Sequence, residues 1–246
     1  MQMYDIHCHL LPGLDDGAFA EDETLKMAEI AVQGRTRGIV CTPHVQCQAP
    51  SSVRDLLYAF HQICVRLKEN GISLQLFLGQ EIFVDDSYRS LPSLLKRKQL
   101  LTINHSVYPL VEFDPRSTEI SVLKKLAHLK ENGYTPIAAH PERYAFLQRD
   151  FSAADRLHEC GALLQVDKDS IAGAFGSAAA RTAAALLRDQ KADFAASDAH
   201  SPYQRTPSLR DLHAHISERY TIEYADFLLF TNPRKVLKNE TIHPFC

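Results

Sequence analysis

Residues 3–17 read MYDIHCHLLPGLDDG, a short apolar strand that runs into a group of possible metal ligands. Side chains alternate along a strand, so His7 and His9 point to one face while Cys8 points to the other. Two imidazoles on the same face can bind one metal ion. A single His-x-His pair is weak evidence, because histidine is also an ordinary surface residue. The rest of the chain therefore has to supply the other ligands.

Six further apolar runs follow the first. The predicted strands cover residues 3–7, 38–43, 74–79, 109–113, 136–139, 162–166 and 194–197. Most of these runs are nearly continuous rather than alternating, which is typical of parallel strands buried on both faces. Helical patterns lie between them, with end signals at Gly34, near Gly71 and at Asn132-Gly133. Strands that alternate with helices predict a parallel α/β sheet with right-handed crossovers.

Seven such units predict one domain, residues 1–246, folded as a closed or distorted TIM-like α/β barrel. An open, doubly wound sheet is the alternative. The net charge of −3 and the scattered basic residues argue against nucleic acid as a partner. No apolar run is long enough to cross a bilayer, and the N-terminus lacks the pattern of a secretion signal. We therefore expect a cytoplasmic protein that is not embedded in a membrane.

Side chains that can bind metal stand at six of the seven predicted strand ends. They are His7 and His9, His44, Glu81, Glu112, His140 with Glu142, and Asp198 with His200, while Asp16 follows in the first loop. The sixth strand ends in Gln165-Val166-Asp167 and supplies no obvious ligand. The carboxyl ends of barrel strands meet at one rim, so these side chains are expected to gather there. Chance placement explains the pattern poorly, because the other seven histidines avoid strand ends.

The types of ligand indicate the metals and their number. Imidazole and carboxylate suit Mn²⁺, Fe²⁺ or Zn²⁺. Four candidate carboxylates carry four negative charges: Asp16, Glu81, Glu112 and Asp198. Two divalent ions would only neutralise them, whereas three would leave a net charge of about +2, enough to attract an anionic substrate. Without metal the pocket would be strongly negative and repel phosphate, so the pattern favours a metal-dependent hydrolase of an anionic substrate that is inactive as apoprotein.

The motifs HCHLLPGLDDG, TPH, GQEI, EFD, IAAHPERY, ASDAH and NPRKVL occur in this order and resemble the polymerase and histidinol phosphatase (PHP) superfamily. Within it, the chain is most similar to the manganese-dependent protein-tyrosine phosphatases of bacterial capsule and exopolysaccharide operons. The resemblance runs from Asp5 to about Leu237. One departure follows the TPH motif, where many relatives have a second histidine and this chain has Val45. Because that position is not an implied ligand, substrate contacts rather than metal binding would differ.

The resemblance implies a distorted (β/α)7 TIM-like barrel, the PHP fold, that holds three Mn²⁺ ions, with Fe or Zn as alternatives. It assigns His7, His9, Glu81 and Asp198 to the first ion, Glu81, Glu112 and His140 to the second, and Asp16, His44 and His200 to the third. It also gives a catalytic role to His44, Arg143 and Arg205, the two arginines standing where the family binds the substrate phosphate. A guanidinium can bind phosphate through two parallel hydrogen bonds. The simpler interpretation of Arg143 is a surface ion pair with Glu142 or Asp150.

The substrate that the resemblance implies is a phosphotyrosine protein, in particular an autophosphorylated bacterial tyrosine kinase. The residues alone leave two alternatives open: a small-molecule phosphoesterase such as a histidinol phosphatase, and a non-catalytic PHP binding module. A cysteine-dependent tyrosine phosphatase is excluded, because no cysteine is followed by arginine at the Cys-x5-Arg spacing. Arg54 lies one residue too far from Cys47.

Overall fold

A computed structural model describes residues 2–245. The strands are β1 (Met3–Cys8), β2 (Thr36–Cys41), β3 (His44–Gln46), β4 (Gln75–Leu78), β5 (Glu81–Phe83), β6 (Leu110–Glu112), β7 (Ile137–Ala139), β8 (Leu163–Asp167) and β9 (Phe194–Ala196). The α-helices are α1 (Glu21–Gln33), α2 (Val53–Glu69), α3 (Leu91–Lys96), α4 (Glu119–Glu131), α5 (Ala145–Arg149), α6 (Ala153–Glu159), α7 (Lys168–Ile171), α8 (Gly176–Arg188), α9 (Arg210–Arg219), α10 (Ile222–Asp226) and α11 (Asn232–Leu237). Neighbouring strands in both sheets run parallel, which confirms the predicted α/β class.

Beyond the second and the third predicted strands, the chain resumes after a break as a further short strand that the sequence did not predict. The breaks are Thr42-Pro43, between β2 and β3, and Gly79-Gln80, between β4 and β5. Proline has no N–H with which to continue a strand ladder, and glycine in a strand often marks a bend. The breaks divide the strands into a three-stranded sheet, β1-β2-β4, and a six-stranded sheet, β3-β5-β6-β7-β8-β9. The barrel wall is therefore distorted, as predicted, by being split into two sheets.

Backbone hydrogen bonds join the first strand to the segment that follows the last. The N–H of Asp198 donates to the His7 carbonyl at 3.0 Å, and the N–H of His9 donates to the Ala199 carbonyl at 2.9 Å. Chain continuity through the two breaks connects the sheets on the other side. The carboxyl ends of all the strands therefore face one region, where the predicted ligands lie.

The helices end where the sequence signals predict. Helix α1 ends before Gly34, whose N–H bonds to the Ile30 carbonyl at 2.8 Å. Helices α2 and α4 end just before Asn70 and Asn132, and each asparagine is followed by a glycine with positive φ. Within residues 2–245, no helix is both long and apolar enough to cross a membrane.

Candidate metal centre

The buried carboxylate of Glu81 lies at the centre of the predicted site. Glu81 opens β5 directly after the break, and its Oε2 lies 3.1 Å from His7 Nε2, 3.3 Å from His9 Nε2 and 3.0 Å from His44 Nδ1. Its Oε1 lies 2.8 Å from His140 Nε2. Four of the predicted histidines, from three different segments, therefore converge on one carboxylate.

His7, His9, Glu81 and Asp198 form the most compact group of donor atoms. The two Nε2 atoms lie 3.2 Å apart, and their distances to the nearest oxygens of Glu81 and Asp198 are 3.1, 3.3, 3.3 and 3.4 Å. A regular tetrahedron with edges of this length has its centre about 2.0 Å from each corner, a typical distance from zinc to nitrogen or oxygen. The group has the size of a single metal site.

The outer nitrogens of His7 and His9 both face acceptors. His7 Nδ1 lies 2.8 Å from Gln165 Oε1, and His9 Nδ1 lies 2.6 Å from Asp15 Oδ2. Since these oxygens only accept, each Nδ1 carries a proton, and in the neutral rings each Nε2 presents a lone pair to the other and to the carboxylates. The buried Glu81 Oε2 has no hydrogen-bond donor among the described residues. Lone pairs that face one another in this way fit a bound cation.

The crowding of carboxylates also shifts pKa values. Burial lowers the pKa of His7, but the negative charges of Glu81 and Asp198 outweigh it and raise that pKa to about 9. Burial, aided by the charge of Glu81, raises the pKa of Glu112 to about 7. Both shifts favour the protonated forms, because the clustered carboxylates repel one another and a bound proton reduces their negative charge. A bound metal cation would reduce that charge in the same way.

The remaining predicted ligands lie around this group. Asp16 Oδ1 is 3.5 Å from His44 Nε2 and 3.4 Å from His200 Nε2. The carboxylate of Glu112 is 3.8 Å from His44 Nδ1 and 3.8 Å from His140 Nε2. The structure therefore brings all nine side chains into one connected cluster. Four of them belong to two groups of donor atoms each: His9, His44, Glu81 and Asp198.

The loop after β1 is packed tightly against His9. Asp15, which the sequence did not single out, accepts from the His44 N–H at 2.9 Å as well as facing His9. Burial raises the pKa of Asp15, but its contact with His9 outweighs burial and lowers that pKa to about 2. A Cβ on Gly17 would lie 2.3 Å from the His9 carbonyl oxygen. Only glycine fits there. In the sequence, the Asp15-Asp16-Gly17 triplet is the feature that could have pointed to this tight loop.

Three residues of the site have left-handed backbone conformations: His140 (φ 35°), Asp198 (φ 48°) and Arg205 (φ 51°). A non-glycine residue in this region costs on the order of 1 kcal/mol or more, so its surroundings must hold it there. Beside His140, the buried hydroxyl of Tyr144 donates to the Ala139 carbonyl at 2.9 Å. The left-handed conformations of these three residues therefore cost folding free energy, and they set the directions of the side chains in the site.

Arg143 and Arg205 converge on the side of Asp198 that faces away from the histidines. Asp198 Oδ2 accepts from Nη2 of Arg143 at 3.0 Å and from Nη2 of Arg205. The ring of Phe175 lies 3.6 Å from the Arg143 guanidinium carbon and 5.4 Å from that of Arg205. The Nε atoms of both arginines are buried and have no acceptor within the described chain.

The simpler interpretation of Arg143, an ion pair with Glu142 or Asp150, is not what the structure shows. Its ion-pair partners are Asp198 and Asp167. Asp167 also groups with His140 and Asp198 as a possible metal-binding set. Strand β8, which offered no obvious ligand in the sequence, therefore does contribute to the site.

A cavity of about 340 Å³ opens beside His44 and Glu112. Its apolar wall is formed mainly by Leu14, Val45 and Phe83. Phe83 pairs with Glu112 in the strand register and lies two residues beyond Glu81, so it faces the same side, one layer farther out. A larger cavity, of about 690 Å³, lies at the amino ends of β2 and β4, away from the cluster. The smaller one has the position of a substrate pocket.

Comparison with known proteins is consistent with this geometry. The family model for capsular polysaccharide synthesis, CpsB/CapC, matches residues 3–238. Tyrosine-protein phosphatase YwqE of Bacillus subtilis is 34% identical over 98% of this chain and 93% of its own length.

Solved structures resemble the chain as well. One comes from a study of YwqE from Bacillus subtilis and CpsB from Streptococcus pneumoniae, described as unique metal-dependent tyrosine phosphatases. It superposes with a TM-score of 0.88 and 32% identity over 99% of this chain and 97% of that one. A lactonase from Listeria monocytogenes has a TM-score of 0.63 and 11% identity over 98% and 95% of the two chains, a likeness of fold alone.

Proposed function

The chain belongs to the CpsB/CapC family of capsular polysaccharide synthesis, and we propose that it is a metal-dependent protein-tyrosine phosphatase. The observation that carries the proposal is the buried Glu81 Oε2, which lacks a donor and faces three imidazole nitrogens at 3.0 to 3.3 Å. Two arginines with unpaired Nε atoms stand beside this cluster. Relatives named tyrosine-protein phosphatases, one of them metal-dependent, support the reaction.

We propose three Mn²⁺ ions, with Fe or Zn as alternatives, on the nine clustered side chains. His7, His9, Glu81 and Asp198 would hold the first, Glu81, Glu112 and His140 the second, and Asp16, His44 and His200 the third. When bound, divalent ions act as Lewis acids on phosphoryl oxygens and make hydroxide available near neutral pH. Asp15 and Asp167 add two negative charges that Arg143 and Arg205 balance, so the net charge of about +2 expected with three ions is kept.

In this proposal Arg143 and Arg205 bind the phosphate of the substrate. At present both share one oxygen of Asp198, while their Nε–H groups have no acceptor within the described chain. A phosphate brings several acceptor oxygens and can satisfy these buried donors with charge-assisted bonds. Phe175 covers one face of Arg143, which leaves the guanidinium edge for the substrate.

The cavity beside the cluster supports an aromatic leaving group. Leu14 and Phe83 provide apolar surface next to His44, whose side chain is 37% exposed. His44 would therefore contact the substrate as well as a metal ion. A phenol such as tyrosine ordinarily has a pKa near 10, so a phenolate leaves more readily than an alkoxide. Burial raises the pKa of the Cys47 thiol to about 12, which argues further against a cysteine nucleophile.

The test compares phosphotyrosine peptide with histidinol phosphate as substrates in the presence of Mn²⁺. The proposal expects higher kcat/KM for the peptide, and loss of that preference in Phe83→Ala. A preference for histidinol phosphate would support the small-molecule phosphoesterase instead. Hydrolysis of neither substrate by metal-loaded protein would indicate a binding module. His140→Ala should lose both metal and turnover, which ties the reaction to the cluster.

We further propose that the physiological substrate is an autophosphorylated bacterial tyrosine kinase and that the enzyme acts in the cytoplasm, where ATP-dependent autophosphorylation takes place. The family description, capsular polysaccharide synthesis, supports a role beside such a kinase. Dephosphorylation of the purified autophosphorylated kinase, followed with an anti-phosphotyrosine antibody, tests this. Turnover of short peptides without turnover of the kinase would contradict it.

A further inference from the structure

Two side chains of β8, Gln165 and Asp167, face the cluster but have no place in the metal assignments. They lie two residues apart on a strand and therefore point to the same side. Both residues are fully buried. A buried amide and a buried carboxylate are costly unless they are hydrogen-bonded, so their partners indicate what they hold in place.

Their hydrogen bonds form a chain through three residues of the site, and a contact between two proposed metal-ligand atoms closes it into a ring. His7 Nδ1 lies 2.8 Å from Gln165 Oε1, and Gln165 Nε2 donates to Asp167 Oδ1 at 2.7 Å. Asp167 Oδ2 accepts from Arg143 Nη2, which also donates to Asp198 Oδ2 at 3.0 Å. The other oxygen of Asp198 lies 3.3 Å from His7 Nε2 and closes the ring.

Each member of the ring fixes the hydrogen-bonding role of the next. Burial raises the pKa of Asp167, and the adjacent Arg143 guanidinium opposes that shift. In its contact with Arg143 the Asp167 carboxylate accepts, and Gln165 Nε2 donates to its other oxygen, which turns the Gln165 oxygen toward His7. The oxygen in turn requires a proton on His7 Nδ1, which leaves Nε2 free as a metal ligand. On the other side, Asp167 holds one edge of the Arg143 guanidinium, while Phe175 covers its face.

We propose that Gln165 and Asp167 are positioning residues that link the metal cluster to the phosphate-binding arginine. Gln165 keeps His7 in the tautomer and orientation that bind metal, and Asp167 keeps Arg143 aimed at the substrate. The Asp167 part rests on the proposed function, because it assumes a phosphate at Arg143. The two residues should therefore fail in different ways when replaced.

Replacing Gln165 tests the link to the metal. Gln165→Met has a similar volume but offers no acceptor to His7 Nδ1. Loss of such a partner typically lowers metal affinity by about 10- to 100-fold. Titration of Mn²⁺ into metal-stripped protein, followed by calorimetry, should show a decrease of at least about tenfold. An affinity within about twofold of wild type would overturn the role of Gln165.

Replacing Asp167 tests the link to the arginine. Asp167→Asn keeps an oxygen for Gln165 but turns an NH₂ group toward Arg143, where two donors repel. The Kd for inorganic phosphate, titrated into Mn²⁺-loaded protein, should rise about tenfold, as expected for the loss of one charge-assisted bond. KM should rise more than kcat falls. If Asp167 were only a negative charge, its removal would tighten phosphate binding, so unchanged or tighter binding overturns the proposal.

Asp193→Asn is the matched control. Asp193 is also a buried carboxylate, which accepts from His158 Nε2 at 2.9 Å and from the Leu164 N–H at 2.8 Å, at the opposite end of the strands. This variant should lose stability and keep both binding constants. Should an isosteric variant not fold, Gln165→Ala and Asp167→Ser repeat the two titrations with room for water.

The outcomes separate this inference from the proposed function. Wild-type protein that binds Mn²⁺ but neither binds phosphate nor hydrolyses phosphoesters would refute the proposed function. The Gln165 titration would still be readable in that case, because it measures metal alone.

Discussion

Replacing Gly17 with alanine should disable the metal centre without changing any proposed ligand. The new Cβ would lie 2.3 Å from the His9 carbonyl oxygen, 2.5 Å from the His9 Cβ and 2.9 Å from Asp15 Oδ1. The His9 atoms belong to a buried strand end and cannot turn aside. Reaching an ordinary contact of 3.4 Å requires the loop to move by about 1 Å.

That movement would break the contacts through which the loop reaches the cluster. Asp15 lies 2.6 Å from His9 Nδ1, and Asp16 lies 3.4 Å from His200 Nε2. Overpacking of this kind costs about 1–3 kcal/mol of stability. A misplacement of about 1 Å at an active site can cost about 100-fold in rate. We expect Gly17→Ala to remain folded, to lose metal and to fall about 100-fold in kcat/KM.

The assay combines metal analysis after dialysis, hydrolysis of a phosphotyrosine peptide and thermal unfolding. Gly133→Ala is the control, because Gly133 has φ +86° and a Cβ added there would meet no atom within 4 Å. It should lose roughly 1–2 kcal/mol through backbone strain, a similar destabilisation, and keep its metal and activity. If Gly17→Ala kept the metal content and kcat/KM of the wild type, the close packing of this loop against His9 would not be required for metal binding or activity.

Three further changes probe other parts of the centre. Asp15→Asn replaces the carboxylate that lies 2.6 Å from His9 Nδ1 with a neutral, weaker acceptor. The Mn²⁺ affinity measured by calorimetry should fall about 10- to 100-fold. An unchanged affinity would contradict a role of Asp15 in orienting His9. Phe175→Ala uncovers the Arg143 guanidinium and removes its cation–π contact, which is partly exposed. The KM for phosphotyrosine peptide should therefore rise by roughly threefold or more, while the metal content stays constant. Removal of metal with EDTA should abolish activity. Restoring Mn²⁺ to 100 times its Kd should add about 2.7 kcal/mol for each occupied site, and scanning calorimetry should show a Tm increase of roughly 5–10 °C per site. An apoprotein as stable as the loaded one would argue against metal binding by this cluster.

The strand-end residues could be predicted because the rule that places them is local. A parallel strand of an α/β fold delivers its last side chains to one rim, so His44, Glu81 and Glu112 could be located from the strand pattern alone. The division into two sheets could not. An apolar run that contains Pro43 has the same composition whether the strand ends or resumes in a second sheet, and the choice depends on neighbouring strands.

The residues that the sequence did not single out depend on contacts between distant parts of the chain. Gln165 is 158 residues away from His7, whose Nδ1 its Oε1 contacts at 2.8 Å. Phe175 lies in a loop, and only its contact with Arg143 in the folded protein connects it with the site. The His-x-His spacing on β1 recurs in Gln165-x-Asp167 on β8, but the spacing indicated no obvious chemistry there, because glutamine and aspartate are not a typical pair of metal ligands.

Asp198 explains why such supporting residues are needed. Its Oδ1 faces His7 and His9, and its Oδ2 accepts from both arginines. In the proposed binding of phosphate, Arg143 exchanges part of its bond to Asp198 for bonds to the phosphate oxygens. A guanidinium held only by Asp198 would lose its orientation in that exchange. Arg143 keeps its orientation because Asp167 still accepts from it, and Asp167 is itself tied through Gln165 to a residue of the metal cluster.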